Sequence, residues 1–291
     1  ANNVAIGSRA LFTNITGAGN AAIGKEALST NSTGSNNVGV GLNALTTNTA
    51  SSNVAIGANA LRFNTSGTPN LAIGQSALEN NTTGASNVAF GHLALTANTT
   101  SQYNVGVGNN ALSAYNRTAD TTAGNVAVGY DCIKALTTGQ FNTAMGMGNG
   151  VSLTTGSWNV HVGYNTTASA VGVNNECVIA GNSGTAVTGK GGNTFFANFA
   201  GGGSYNGANA STWATTSDRR LKKNIVDNND GLDKLTAIQV RNFEYRLPEE
   251  VDAELSPQDA IQKEGVQLGV IAQELQAVLP DCVKEESTGV L

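Results

Sequence analysis

The chain has 291 residues, a formal net charge of −5, 12% charged and 5% aromatic residues, and 36 glycines against 4 prolines. Glycine without a three-residue period excludes collagen, and 40% apolar residues at this charge excludes a disordered composition. No apolar run reaches the length of a membrane span, no segment resembles a signal peptide, and neither half is a basic nucleic-acid surface.

From Ala1, which already lies inside a repeat and so reads as the start of a fragment or processed chain, one string recurs. It is Asn-Val-Ala-Ile-Gly, with its Asn at Asn3, Asn20, Asn37, Asn53, Asn70, Asn87, Asn104, Asn125, Asn142 and Asn159. The spacing is 17 residues apart from one of 16 and one of 21. The fifth slot is always glycine, from Gly7 to Gly163, which fits a turn needing positive φ or a backbone without Cβ. The second and fourth slots (Val4 and Ile6, Val54 and Ile56, Val88 and Phe90) share one strand face and are predicted to be core. The third slot, Ala or Gly in most repeats, predicts a close neighbour on the other face. Stacked Asn residues predict a ladder of side-chain amides.

A second half-repeat, Ala-Leu-x-x-Asn, runs from Ala10–Asn14 to Ala94–Asn98 and ends in a Thr/Ser/Gly-rich turn. It suits either a short strand or one helical turn; Lys25-Glu-Ala-Leu28 and Gln75-Ser-Ala-Leu78 lean toward the helical turn. A unit this small cannot bury its apolar face alone, so the coils must stack. Ten coils at ~4.8 Å each make a rod roughly 50 Å long. So thin a rod has little core, which predicts a homo-oligomer, a trimer. The fold class expected is mainly β: a trimeric β-solenoid of 17-residue coils followed by a small α+β domain.

The repeat decays toward the end of this region. Cys132 and Ile133 replace Ala-Leu, and His161 breaks the small-residue slot. Residues 1–173 read as solenoid and 174–216 as a Gly-rich transition or capping segment, anchored by Phe195, Phe196, Phe199 and Trp213. Residues 217–291 form a second domain. Through Thr216 the net charge is +1; from Ser217 onward it is −6. The later part reads as an amphipathic stretch (Leu232, Leu235, Ile238), a strand at Phe243–Tyr245, an acidic loop at 248–264, and a strand running into a helix from Gly269 to Leu279.

Bland readings hold for several features. The triplets Asn14–Thr16, Asn31–Thr33, Asn64–Ser66, Asn81–Thr83 and Asn98–Thr100 match the glycosylation pattern, but they recur with the repeat and read as turn chemistry. His161 reads as an interior histidine in preference to an ion ligand on a three-fold axis. Cys132, Cys177 and Cys282 form no Cys-x-x-Cys pair, and Cys132 and Cys177 read as small buried residues. Trp158 and Tyr164 read as packing in preference to sugar contacts. No metal site, no cofactor and no pair of carboxylates for glycoside hydrolysis stands out.

Ser217-Asp-Arg-Arg-Leu-Lys-Lys-Asn-Ile225, followed by Gly269-Val-Ile-Ala-Gln-Glu274, Pro280 and Val283, resembles the intramolecular chaperone of phage endosialidase tailspikes. The 17-residue coils are similar to head repeats of trimeric autotransporter adhesins. The resemblance implies a homotrimeric tail fibre or receptor-binding appendage of a phage virion. Such a fibre is extracellular and is assembled in the host cytoplasm. It would contact other tail proteins and a host glycan or protein receptor, without nucleic acid or membrane insertion. The chaperone would direct trimer assembly and release itself by cutting the Thr216–Ser217 bond, with Ser217 as nucleophile and Lys222 as its general base. At most, the activity implied is this self-cleavage. Asp218, Arg219 and Arg220 would form intersubunit pairs. The family's Tyr-containing segment and long C-terminal helices lie beyond Leu291, so the chaperone reads as truncated. The same rod would also suit a bacterial trimeric surface adhesin.

Overall fold

The computed structural model describes residues 2–118, 122–181, 186–199, 202–206, 214–215, 231–244 and 265–280. The chain divides into two compact units, Ala1–Ser217 and Asp218–Leu291. It is mainly β, and the first unit is a β-solenoid.

Each coil contributes one short strand: β1 (Val4–Ile6), β2 (Ala21–Ile23), β3 (Val38–Val40), β4 (Val54–Ile56), β5 (Asn70–Ile73), β6 (Asn87–Phe90), β7 (Val105–Val107), β8 (Val126–Val128), β9 (Thr143–Met145) and β10 (Val160–Gly163). They pair in parallel and in exact coil register, Val4 on Ala21, Ala22 on Gly39, Ala55 on Ala72. The ladder continues through β12 (Glu176–Gly181) and β14 (Thr194–Phe199). It then turns antiparallel through β15 (Gly202–Asn206) and β16 (Ala214–Thr215). A side pair joins β11 (Thr166–Thr167) to β13 (Val187–Thr188).

The strand faces are the reverse of the expectation. Ala22, Ala55, Ala72, Ala89, Ala127 and Ala144 are fully buried, whereas Val4, Ile6, Ile23, Ile56 and Phe90 are 39–58% exposed. The Leu of the second leg already fills the narrow interior. A Cβ on Gly39 would lie 3.3 Å from the Leu28 side chain, so only Ala or Gly fits beneath it. The Val/Ile column therefore lies outside, as an uncovered apolar stripe along the sheet.

The second leg is neither strand nor helix. Residues from Gly7 to Asn14 and their equivalents form linked turns, with bonds such as Ala10 N to Gly7 O (3.3 Å) and Asn14 N to Leu11 O (3.2 Å). Two residues per coil are left-handed, for example Asn43 (φ 56°) and Leu45 (φ 53°). Leu28, Leu45, Leu61, Leu78, Leu95 and Leu112 all take this conformation and are all fully buried. Left-handed backbone costs about 1–2 kcal/mol per residue. Burying a leucine contributes about 1.5–3 kcal/mol, so packing prevails. Backbone bonds also run between coils, from Glu26 N to Ser8 O and from Leu28 N to Ala44 O, both at 2.9 Å.

The glycine column has two causes. Gly7, Gly24, Gly41, Gly57 and Gly74 sit at φ 126–135°, a region closed to other residues. A Cβ on Gly7 would also stand 2.6 Å from the carbonyl oxygen of Gly24.

Two asparagine ladders stitch the coils. In the strand-entry column, Asn20 N donates to Asn3 Oδ1 at 2.8 Å, Asn37 N to Asn20 Oδ1 at 3.0 Å, and so on to Asn159. Each Nδ2 reaches a turn carbonyl, as Asn20 does to Gly34 O. In the turn column, Asn64, Asn81 and Asn98 donate to Asn48, Asn64 and Asn81 at 2.7–2.8 Å. The asparagines of the glycosylation-like triplets from Asn31 to Asn98 are thus fully buried and turned inward.

The second unit contains α1 (Gly231–Ala237), β17 (Arg241–Phe243), β18 (Gln267–Gly269) and α2 (Ala272–Val278). β17 and β18 pair antiparallel, Arg241 opposite Gly269.

Candidate functional site

Thr216, Ser217 and Lys222, with Asp218, Arg219, Arg220 and Trp213, lie outside the described residues. What the structure places is the scaffold that follows them. Arg241 on β17 clasps Glu274 on α2 with two parallel bonds, Nε to Oε2 at 3.1 Å and Nη2 to Oε1 at 3.0 Å. These bonds, and the opposite charge behind them, raise the already high guanidinium pKa and fix the helix to the strand pair by fork geometry. Gly269 leaves room for the Phe243 ring, which a Cβ there would approach to 3.2 Å.

Two residues of the Gly-Val-Ile-Ala-Gln-Glu string therefore have positional roles, Gly269 admitting an aromatic ring and Glu274 holding an arginine. The Arg241–Glu274 pair was not legible in the sequence, because 33 residues and no local pattern separate its members. Leu235, Val240, Val266 and Leu268 of this unit are 61–76% exposed.

In the solenoid the polar residues that break the repeat come together. Glu176 occupies the next strand-entry Asn position, its N–H donating to Asn159 Oδ1 at 2.9 Å. It is buried, and its carboxylate accepts bonds from Ser169 N at 3.0 Å and Gly191 N at 2.8 Å. Both of its carboxylate oxygens are taken by these loop N–H groups, so the amide column stops there. His161 is fully interior: its Nδ1 meets Thr166 Oγ1 at 3.1 Å, and its Nε2 is buried without a partner. Burial holds its pKa below the ordinary value against the opposing pull of Glu176. Among the described residues no group of three or more His, Cys, Asp or Glu side chains could hold a metal ion.

Cys132 is buried, and desolvation pushes its thiol up to about 12; burial also raises Cys177. Neither is a reactive thiolate at neutral pH. Trp158 stacks on Phe141 with ring centroids 4.3 Å apart, while more than half of its surface stays exposed.

Residues 217–284 match the Peptidase_S74 family, described as chaperone of endosialidase. No curated protein matches the chain, and no solved structure does. No helix among the described residues is long and apolar enough to cross a membrane. The chain thus joins a β-solenoid to a C-terminal segment similar to the chaperone of endosialidase.

Proposed function

We propose that this chain is part of a homotrimeric phage tail fibre or receptor-binding appendage. Its solenoid supplies length and a host-contacting surface, and its C-terminal segment directs assembly of the trimer. The observation that carries this reading is the match at residues 217–284 directly after a rod with one bare apolar face. A monomer exposing such a stripe, together with Leu235, Val266 and Leu268, leaves apolar area that association would bury. The strands of 174–216, which turn the sheet antiparallel, act in this reading as a cap on the solenoid edge.

In the same reading Ser217 attacks the carbonyl of Thr216 and Lys222 takes the hydroxyl proton. The ester to Ser217 Oγ forms as the Thr216–Ser217 C–N bond breaks, and the proton held by Lys222 passes to the freed Ser217 amine. A water then hydrolyses the ester to a Thr216 carboxylate and a free Ser217 hydroxyl. Asp218, Arg219 and Arg220 pair between subunits. Release of the chaperone removes the template for refolding and leaves the rod kinetically trapped.

The test expresses the protein with and without Ser217→Ala and follows fragments and assembly state. The reading expects a trimer in both and loss of the two fragments in the variant. Persistent cleavage in purified Ser217→Ala protein rejects the nucleophile; a monomer in both rejects the assembly reading. A bacterial surface adhesin with the same rod is the alternative, and an outer-membrane anchoring barrel in the parent gene would select it.

A further inference from the structure

One column of the second leg carries a defect that opens a cavity. The first left-handed position of each coil, at φ 51–64°, is Asn in four coils (Asn43, Asn59, Asn110 and Asn165), Asp131 in one and Gly148 in another, with other residue types in the rest. Some of its side chains bridge coil to coil: Asn43 Nδ2 to Asn59 Oδ1 at 3.1 Å, Asn110 Nδ2 to Asp131 Oδ1 at 2.9 Å. Gly148 interrupts the column. A Cβ there would touch little, with Asn165 Oδ1 the nearest atom at 3.8 Å.

The gap is a notch of about 210 Å³ between the coils of Asp131 and Asn165. Met147 and Val151 line it, with Tyr130 and Tyr164 contributed by the coils on either side. Those two tyrosines are two coils apart, about 10 Å along the axis. They are 53% and 40% exposed.

The chemistry of the walls selects a ligand. Tyrosine faces and a thioether suit the C–H face of a sugar ring, which is apolar and flat. The Asp131 carboxylate, already bonded to Lys134 Nζ at 2.5 Å and to Asn110, is an ionised acceptor for hydroxyls. The Asn165 amide makes no side-chain hydrogen bond to the described residues and offers both a donor and an acceptor. The cation at its edge, Lys134, is already paired with Asp131, which leaves an anionic sugar facing a carboxylate.

We propose that the notch at Gly148 is a binding subsite for a neutral pyranose of a cell-surface glycan, stacked on Tyr164 and hydrogen-bonded by Asn165 and Asp131. The inference rests on the attachment role proposed above. One subsite of this size binds weakly, so affinity would come from several copies acting on one polysaccharide.

The column supplies its own control. Four of its positions already hold Asn at φ 51–60°, so Gly148→Asn fills the notch with a residue that this backbone accepts. The experiment is saturation-transfer NMR on the full chain with neutral tetrasaccharides of glucose, galactose and N-acetylglucosamine. Sedimentation and hydroxyl-radical footprinting of Tyr130 and Tyr164 are measured on the same samples. The proposal expects transfer from at least one saccharide, and at least about a tenfold loss in both Gly148→Asn and Tyr164→Ala with an unchanged sedimentation coefficient. It is overturned if no saccharide shows transfer, if Gly148→Asn binds like the parent, or if the tyrosines are protected without sugar, which makes the notch a contact between copies. A trimer that binds none of the sugars removes this subsite alone; a monomer removes the assembly reading instead.

Discussion

The imidazole of His161 stands where Gly150 has given up a side chain: its Cδ2 is 3.6 Å from the position a Cβ on Gly150 would take. Gly150 occupies the slot that Leu28 to Leu112 and Ile133 fill in earlier coils, and His161 occupies the slot of Ala127 and Ala144. The two departures from the repeat are one exchange of volume across adjacent coils.

That exchange is testable by a double-mutant cycle. His161→Ala alone leaves a cavity and is expected to cost about 2–4 kcal/mol. Gly150→Leu alone collides with the ring and with Ile133, and is expected to be at least as costly. Together they restore the consensus, so the double variant is expected to recover about 1–3 kcal/mol relative to the sum of the singles. Simple additivity in denaturant unfolding would contradict the exchange.

The same histidine imposes a pH dependence. Its pKa lies below the ordinary value of 6.5, burial being the largest cause. The unfolded chain therefore binds the proton more readily, so the stability contribution is complete above about pH 6.5 and is lost as pH falls toward and below the folded pKa. The melting temperature of the solenoid is expected to drop between about pH 6.5 and 5, with a shallower drop in His161→Gln. Identical slopes in parent and variant would reject this.

The glycine column should be intolerant. Gly74→Ala combines φ 133° with a Cβ 2.5 Å from the Gly91 carbonyl oxygen. A loss of about 3 kcal/mol or more is expected, seen as a lower unfolding midpoint. Gly191, at φ 115° with nothing within 4 Å of its Cβ position, should lose only the backbone part of that cost. Equal losses at the two positions would show that the contact with the next coil is unimportant.

The exposed stripe should matter to assembly and not to the coil. Ile56→Lys and Ile73→Lys on neighbouring strands point away from the interior. The double variant is expected to keep its circular dichroism while the proposed trimer dissociates at least about tenfold more readily by light scattering. An unchanged trimer would place the contact elsewhere.

Much of this architecture was legible in the sequence, for definite reasons. The period, the glycine column and the asparagine ladder follow from identical neighbours at fixed spacing. The inside of the strand did not follow, because alternation separates two faces without saying which one is enclosed. Only the Leu28 column, whose side chain presses on Gly39, decides that. The second leg misled through Ala-Leu, a helical pair by propensity. Here burial holds Leu28 at φ 52°, a conformation its chemistry disfavours. Of the proposed cleavage residues, Thr216, Ser217 and Lys222 lie outside the described residues, and the clasp of Arg241 by Glu274 joins positions with no local pattern.

Because every Asn carbonyl in the entry column faces the next coil's N–H and Glu176 alone ends the series, length in this molecule is a matter of whole units. A further seventeen-residue turn spliced in upstream of Glu176 would meet on both sides the same partners it replaces. Coils of 16 and 21 residues keep the same bond because their length changes fall between the asparagines, whereas a splice that omits the asparagine would leave the next N–H without its acceptor. The solenoid can be lengthened or shortened by duplication and deletion, like a chain of identical links with a single closed clasp.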